Sequence, residues 1–145
     1  MKILRFSLIG FFMLFGLLVL ANNSSVEAAE FCWTDDEGGR ARLEITHVGH
    51  GHYSVNGRHT DISGNVEAVN GNGEVVAGPP NQLIIHITSS SFDADEVRAF
   101  LATIVLDLPS LNGSMEGLSL YYDKTTTSRG INFDGTITLT RVPCP

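Results

Sequence analysis

Three histidines within six residues are the part of this sequence best suited to metal chemistry. His47, His50 and His52 lie in the stretch THVGHGHYS, and imidazole nitrogens bind zinc, copper and nickel in proteins. A tight zinc site needs three or four protein ligands around one ion. Because side chains alternate between the faces of a strand, His47 and His52 are expected on opposite faces of a hairpin, with His50 at its tip. The spacing predicts at most a weak metal site, and a merely polar hairpin tip is the alternative.

Sequence features of common enzyme classes are not found. Serines are plentiful, but the chain contains neither G-x-S-x-G nor H-E-x-x-H. The acidic stretches at residues 35–37 and 93–96 lack the D-x-D-x-D-G spacing of a calcium-binding loop. We therefore expect a protein that is not an enzyme and that carries no tightly bound cofactor.

The histidines belong to a hairpin whose register can be derived from the sequence. Placing residues 49–51 in the loop sets Ile45 opposite Val55 and Val48 opposite His52, with the apolar partners on one side. A slip of one residue would turn this whole apolar face toward water. Glycines on both sides of the tip suit a turn that requires positive φ. The pattern predicts two antiparallel strands joined by a three-residue loop.

The same alternation recurs between clusters of Gly, Pro, Asn and Asp along the chain. It predicts eight strands, at residues 41–48, 52–60, 65–70, 74–78, 82–90, 98–108, 114–122 and 131–142, with a turn at 70–73. The short connections favour antiparallel neighbours joined in sequence. We predict an all-β fold, an eight-stranded antiparallel up-and-down β-barrel, with a two-sheet β-sandwich as the alternative.

Two cysteines lie near the ends of the predicted domain. Cys32 and Cys144 are 112 residues apart, and an even cysteine count in an exported protein predicts a disulfide bond. Closing so long a loop stabilises the fold by about 4 kcal/mol through the unfolded state. We expect the bond to hold the first and last strands side by side.

The N-terminal segment has the features of an export signal. A short basic region precedes an apolar run at residues 6–20, and small residues at 26–28 provide a cleavage site. The run is shorter than the roughly 20 residues of a membrane-spanning helix. We expect a signal peptide at residues 1–28, one domain at residues 29–145, and a periplasmic or secreted protein.

The charge of the chain argues against two kinds of partner. Its formal net charge is −7, and it contains no basic run beyond the signal region. Phosphate backbones and anionic membrane surfaces attract positively charged proteins. We therefore expect no nucleic acid partner and no membrane association after signal cleavage.

Eight short antiparallel strands in an exported chain of this size resemble the calycin group of lipocalin-like and avidin-like barrels. The only tryptophan lies in Cys32-Trp33-Thr34, whereas lipocalins carry a G-x-W at the first strand; the glycine is absent here, as is their T-D-Y motif. The resemblance implies that Trp33 closes one end of the barrel and that the lumen holds a small apolar ligand.

Alternation selects the candidate lumen residues. In the last strand, residues 131, 133, 137 and 139 are predicted to share the inner face. The candidate ligand contacts are Tyr53, Val55, Tyr121 and Phe133. Binding of a small apolar molecule is the preferred function. The alternatives are a protein-interaction module, such as an inhibitor of a secreted hydrolase that binds through its loops, and a weak zinc, copper or nickel binder using the three histidines.

Overall fold

The computed structural model describes residues 28–92 and 94–145, which form a barrel of antiparallel strands. The strands are β1 (Ala28–Asp35), β2 (Arg40–Gly49), β3 (His52–Thr60), β4 (Val66–Val76), β5 (Gln82–Phe92), β6 (Glu96–Asp107), β7 (Gly113–Asp123) and β8 (Arg129–Val142). Each strand pairs with the next, and β8 pairs with β1 to close the ring. The predicted eight-stranded up-and-down β-barrel is confirmed, and this architecture is consistent with the calycin group.

The N-terminal segment is predicted to be a signal peptide and not a membrane-spanning helix. The predicted signal peptide lies outside the described residues, apart from Ala28, where β1 begins. Within the described part of the chain, no helix is long and apolar enough to cross a membrane.

The register predicted for the central hairpin is confirmed over most of its length. Ile45 lies opposite Val55, and His47 lies opposite Tyr53. Ile45 and Val55 are both buried. The apolar face that alternation selected therefore faces the interior, whereas a slip of one residue would expose it.

The prediction is wrong at the tip of this hairpin. Gly49, and not Val48, pairs with His52, because the register shifts between residues 47 and 49. His50 and Gly51 form a two-residue turn with φ of 52° and 77°. Positive φ at both central positions gives the turn a twist that matches the flanking strands. The extra residue, Val48, is accommodated as a bulge.

The turn predicted at residues 70–73 is also wrong, because these residues lie in the middle of β4 and pair on both sides with β3 and β5. A Cβ atom at Gly71 would clash with the carbonyl oxygen of His86 on β5. Glycine here permits a close approach of two backbones, and it does not mark a reversal of the chain. The two predicted strands at 65–70 and 74–78 are a single strand.

The predicted number of eight strands is correct because two errors cancel. β4 was predicted as two strands, and one other strand was missed. β1 was not predicted, yet it is the strand that pairs with β8, with Cys32 opposite Val142 and Asp35 opposite Leu139. The disulfide between Cys32 and Cys144 spans this seam with a Cα–Cα distance of 5.2 Å. The predicted pairing of the cysteines is confirmed, but the strand beside β8 is β1 and not the predicted first strand at residues 41–48.

The alternation predicted for β8 fails in the half of the strand nearer its start. Met115 pairs with Ile137, but Gly117 pairs with Asp134, so β8 contains one more residue than β7 over this interval. A bulge of this kind moves every preceding side chain to the other face. As a result Asp134 faces the interior, whereas Phe133 is 82% exposed on the outside.

Trp33 closes the end of the barrel at which the β6–β7 connection lies. Its side chain is 2% exposed, and its Nε1–H donates a hydrogen bond of 2.7 Å to the carbonyl oxygen of Leu111 in that connection. The ring of Phe31 lies 6.0 Å from the ring of Trp33, and Arg141 lies over Phe31 at 4.9 Å. This is the position that the resemblance to calycins implied for Trp33.

Candidate functional site

The barrel contains a cavity of about 210 Å³. For comparison, an engineered apolar cavity of about 150 Å³ binds benzene. The volume therefore suits a compound of one or two rings. Most of the wall is apolar and is formed by Trp33, Ala41, Leu43, Val69, Ile85, Ile87, Phe100, Ile104, Leu106, Met115, Ile137 and Leu139.

Two adjacent strands, β5 and β6, supply the centre of the apolar wall. Alternate residues of β5 point inward, so Ile85 and Ile87 face the cavity while His86 faces outward and contacts Thr103 at 3.1 Å. On β6, Leu106 faces inward and has no exposed surface. A period of two in the sequence thus gives one apolar face to the lumen and one polar face to solvent.

The end of the cavity opposite the end that Trp33 closes carries charged groups, and we call this end the acidic mouth. It is formed by the side chains of Asp35, Glu37, Asp61, Glu67 and Asp134, together with His59 and Arg98. Among the described residues, five carboxylates thus face one guanidinium and one imidazole. A cleft lined predominantly by one sign of charge concentrates ions of the opposite sign. The acidic mouth therefore attracts cations and disfavours anions.

Asp35 connects the β1–β2 turn to β3. Its Oδ1 accepts hydrogen bonds from the backbone N–H groups of Glu37 at 3.1 Å and Gly39 at 2.6 Å. Its Oδ2 lies 3.4 Å from Nε2 of His59, and the Asp35 side chain is only 7% exposed. These contacts hold the carboxylate in a fixed position at the rim of the cavity.

Two further carboxylates at the rim have neutral partners. Glu67 accepts a hydrogen bond of 2.9 Å from the hydroxyl of Ser89, and Asp134 accepts one of 3.0 Å from the hydroxyl of Ser119. A hydroxyl orients a carboxylate without neutralising its charge. Both groups therefore contribute negative charge to the acidic mouth, whereas Nε of Arg98 donates to Glu96 at 2.8 Å.

Asp61, on the β3–β4 connection, is held in its ionised form. Its carboxylate accepts a hydrogen bond of 2.8 Å from the side-chain amide of Asn65 and one of 2.9 Å from the backbone N–H of Asn65. These bonds favour the charged state and lower the pKa of Asp61 below its ordinary value. The connection thus adds a carboxylate that is ionised at neutral pH.

The structure does not bring the four predicted ligand contacts together around the cavity. Val55 is fully buried and Tyr53 is half-buried against the core, but neither is part of the cavity wall. Tyr121 lies against Gly130 at the inner side of the β7–β8 hairpin. Phe133 lies outside the barrel, because of the bulge in β8.

Several residues that do line the cavity were missed by the sequence analysis. The alternation of apolar and polar residues in β5 is a signal that could have identified Ile85 and Ile87, which occupy every second position and are buried. No sequence signal identified Asp134 as inward-facing, because its orientation depends on the bulge opposite Gly117.

The three histidines do not gather around a common point. The ring of His47 contacts that of Tyr53 at 5.2 Å, His50 occupies the turn, and His52 is exposed beside Gly49. Among the residues that the structure describes, no group of three or more His, Cys, Asp or Glu side chains could hold a metal ion. The arrangement gives no support to a metal site at this hairpin.

Comparison with known proteins does not place the chain in a family. No family model matches it, and it shows no significant similarity to a curated protein. The geometry of the cavity and of the outer surface is therefore the basis for the functional proposals that follow.

Proposed function

We propose that this protein binds a small, mainly apolar molecule inside its barrel, with the polar end of the ligand at the acidic mouth. The observation that carries the proposal is the cavity of about 210 Å³, which is apolar at depth and charged at one end. Burying about 200 Å² of apolar ligand surface contributes roughly 5 kcal/mol. Before any cost of association is subtracted, 5 kcal/mol corresponds to a dissociation constant of about 0.2 mM, so we expect weak binding, with a dissociation constant of about 1 mM or higher.

The charge of the acidic mouth sets the expected order of affinity among ligands. Carboxylates outnumber cationic groups there, so a positively charged head group is favoured over a neutral one, and a neutral one over an anion. The preferred ligand is an amine whose apolar part is either aromatic, with one or two rings, or branched and aliphatic. Binding is the whole proposed activity, without chemical conversion of the ligand.

The site of action that we propose is outside the cytoplasm, in the periplasm or the extracellular medium. The disulfide between Cys32 and Cys144 suits an oxidising compartment. The apolar run at residues 6–20 supports export through its resemblance to a signal peptide.

A fluorescence titration tests this function directly, because Trp33 is the only tryptophan of the chain and forms part of the cavity wall. The disulfide-bonded protein is titrated with 2-phenylethylamine, 2-phenylethanol and phenylacetate, which share one skeleton and differ in charge. We expect saturable changes in Trp33 emission, with the amine binding more tightly than the alcohol and the alcohol more tightly than the acid. The absence of saturable binding by any of the three would refute the proposal.

Two variants separate the apolar and the charged contributions. Ile104→Phe places a ring in the cavity and should abolish binding of the amine and the alcohol alike, because Ile104 is a buried residue of the wall. Asp134→Asn removes one charge from the acidic mouth and should weaken the amine selectively, leaving the alcohol unchanged. Ile62→Ser, at an exposed position that is not itself part of the cavity wall, is the matched control.

A further inference from the structure

The outer surface of β5–β8 carries an apolar face that plays no part in the cavity. Six large apolar side chains between 39% and 82% exposed lie there, at outward positions toward the acidic mouth. We call this set the outer apolar face: Phe92, Leu101, Leu120, Tyr122, Ile131 and Phe133. Exposed apolar residues grouped on one side of a barrel differ from the scattered ones that every protein surface contains.

Strand pairing makes the outer apolar face continuous. Leu120 lies directly opposite Ile131 on the neighbouring strand. Phe133 lies opposite Leu118, which in turn lies opposite Leu101. Side chains that face each other across adjacent strands are within contact distance, so the face forms a single surface across β6, β7 and β8.

The area of this face is close to what a stable protein interface requires. With about 150–200 Å² for each large side chain, the exposed part of the six residues amounts to roughly 600 Å². The largest apolar patch on a typical monomer is about 300–600 Å². A standard interface buries about 800 Å² on each partner, so the six side chains account for about three quarters of that area.

The charges at the two ends of the face make it complementary to itself. Near the middle of the outer apolar face, Ser119 of β7 pairs with Asn132 of β8. We use this pair to mark the centre of the face along the strand direction. Arg129 lies three residues from Asn132 toward the acidic mouth, and Glu116 lies three residues from Ser119 in the opposite direction. Both are exposed and outward-facing. Consider a two-fold axis that lies between the two packed faces, perpendicular to the strands, at the level of Ser119 and Asn132. Rotation about this axis brings Arg129 of one copy to Glu116 of the other.

We propose that two copies of this chain associate through their outer apolar faces as a two-fold symmetric homodimer. Phe133 and Ile131 form the apolar centre, and two reciprocal Arg129–Glu116 pairs form the border. Twisted sheets that pack face to face lie about 10 Å apart and within about 30° of alignment, and we expect the same geometry here. The strands of the two copies run in opposite directions, so the two acidic mouths open at opposite ends and remain accessible.

The test measures the mass of the disulfide-bonded protein in solution by sedimentation over a wide range of concentrations. We expect a reversible monomer–dimer equilibrium. Phe133→Asp should weaken the dimer at least about tenfold, because an apolar centre residue is replaced by a charge. The matched control is Ile62→Ser, since Ile62 is 78% exposed but lies on the β3–β4 connection. Circular dichroism establishes that both variants remain folded.

A charge exchange tests the proposed geometry. Arg129→Glu and Glu116→Arg should each weaken the dimer, because like charges then meet at the border, and the double variant should restore it. A double variant that is no better than the single ones would overturn this arrangement. A protein that stays monomeric at every concentration would overturn the homodimer itself, as would monomeric protein that binds phosphatidylcholine vesicles through Phe133.

Discussion

Replacing Trp33 by phenylalanine should destabilise the barrel strongly, although the substitution conserves an aromatic ring. Trp33 is 2% exposed, and its Nε1–H donates to the carbonyl oxygen of Leu111, which is itself buried. The variant leaves this acceptor without its partner, which costs about 1–3 kcal/mol, and the smaller ring adds a cavity term of about 1 kcal/mol. We expect a total loss of about 2–4 kcal/mol. In a domain of this size, such a loss lowers the melting temperature by roughly 10 °C.

The assay is thermal and urea unfolding followed by circular dichroism, because the variant lacks the only tryptophan of the chain. Ile62→Ala is the control, since substitutions at exposed positions usually change stability by less than about 0.5 kcal/mol. A loss for Trp33→Phe no larger than that of the control would refute the reasoning. It would mean that neither the hydrogen bond to Leu111 nor the packing at this end of the barrel contributes measurably to stability.

Two further predictions concern the seam and a surface loop. Replacing Cys32 and Cys144 together by serine should lower the free energy of unfolding by about 4 kcal/mol, because the bond closes a loop of 112 residues; urea unfolding of the wild type with reductant should match the variant, and equal stability with and without the bond would contradict the prediction. Asp123 accepts hydrogen bonds from the side chains and backbones of Thr125 and Thr126, which lower its pKa. Because a lowered pKa in the folded state contributes stability above the unfolded value of about 4 and loses it as the pH falls through the folded value, Asp123→Asn should lower the melting temperature at pH 7 by an amount that shrinks in acid. A difference that does not change with pH would count against these hydrogen bonds.

Local sequence patterns were sufficient to predict the all-β fold class and most of the register of the central hairpin. Ile45 and Val55 lie opposite each other as predicted, because both belong to one short segment in which alternation and turn position determine the pairing. The disulfide was also predictable, since the chain contains only two cysteines.

Glycine-rich stretches were ambiguous for a physical reason. The residues at 70–73 have the composition of a turn, but Gly71 instead permits close contact with the backbone of His86 on the next strand. Glycine serves both purposes because it lacks a side chain. Only the position of β5 distinguishes them, and that position is not encoded within the stretch itself.

The sequence by itself determined an antiparallel all-β chain with apolar residues on alternate positions and a bond between its ends. The tertiary structure alone decided which residues surround the cavity and which form the outer apolar face. One bulge in β8, set by its pairing with β7, turns Asp134 inward and Phe133 outward. The physical reason is that alternation is a local property, whereas the two faces of a closed barrel depend on the registers of strands that are distant in the chain.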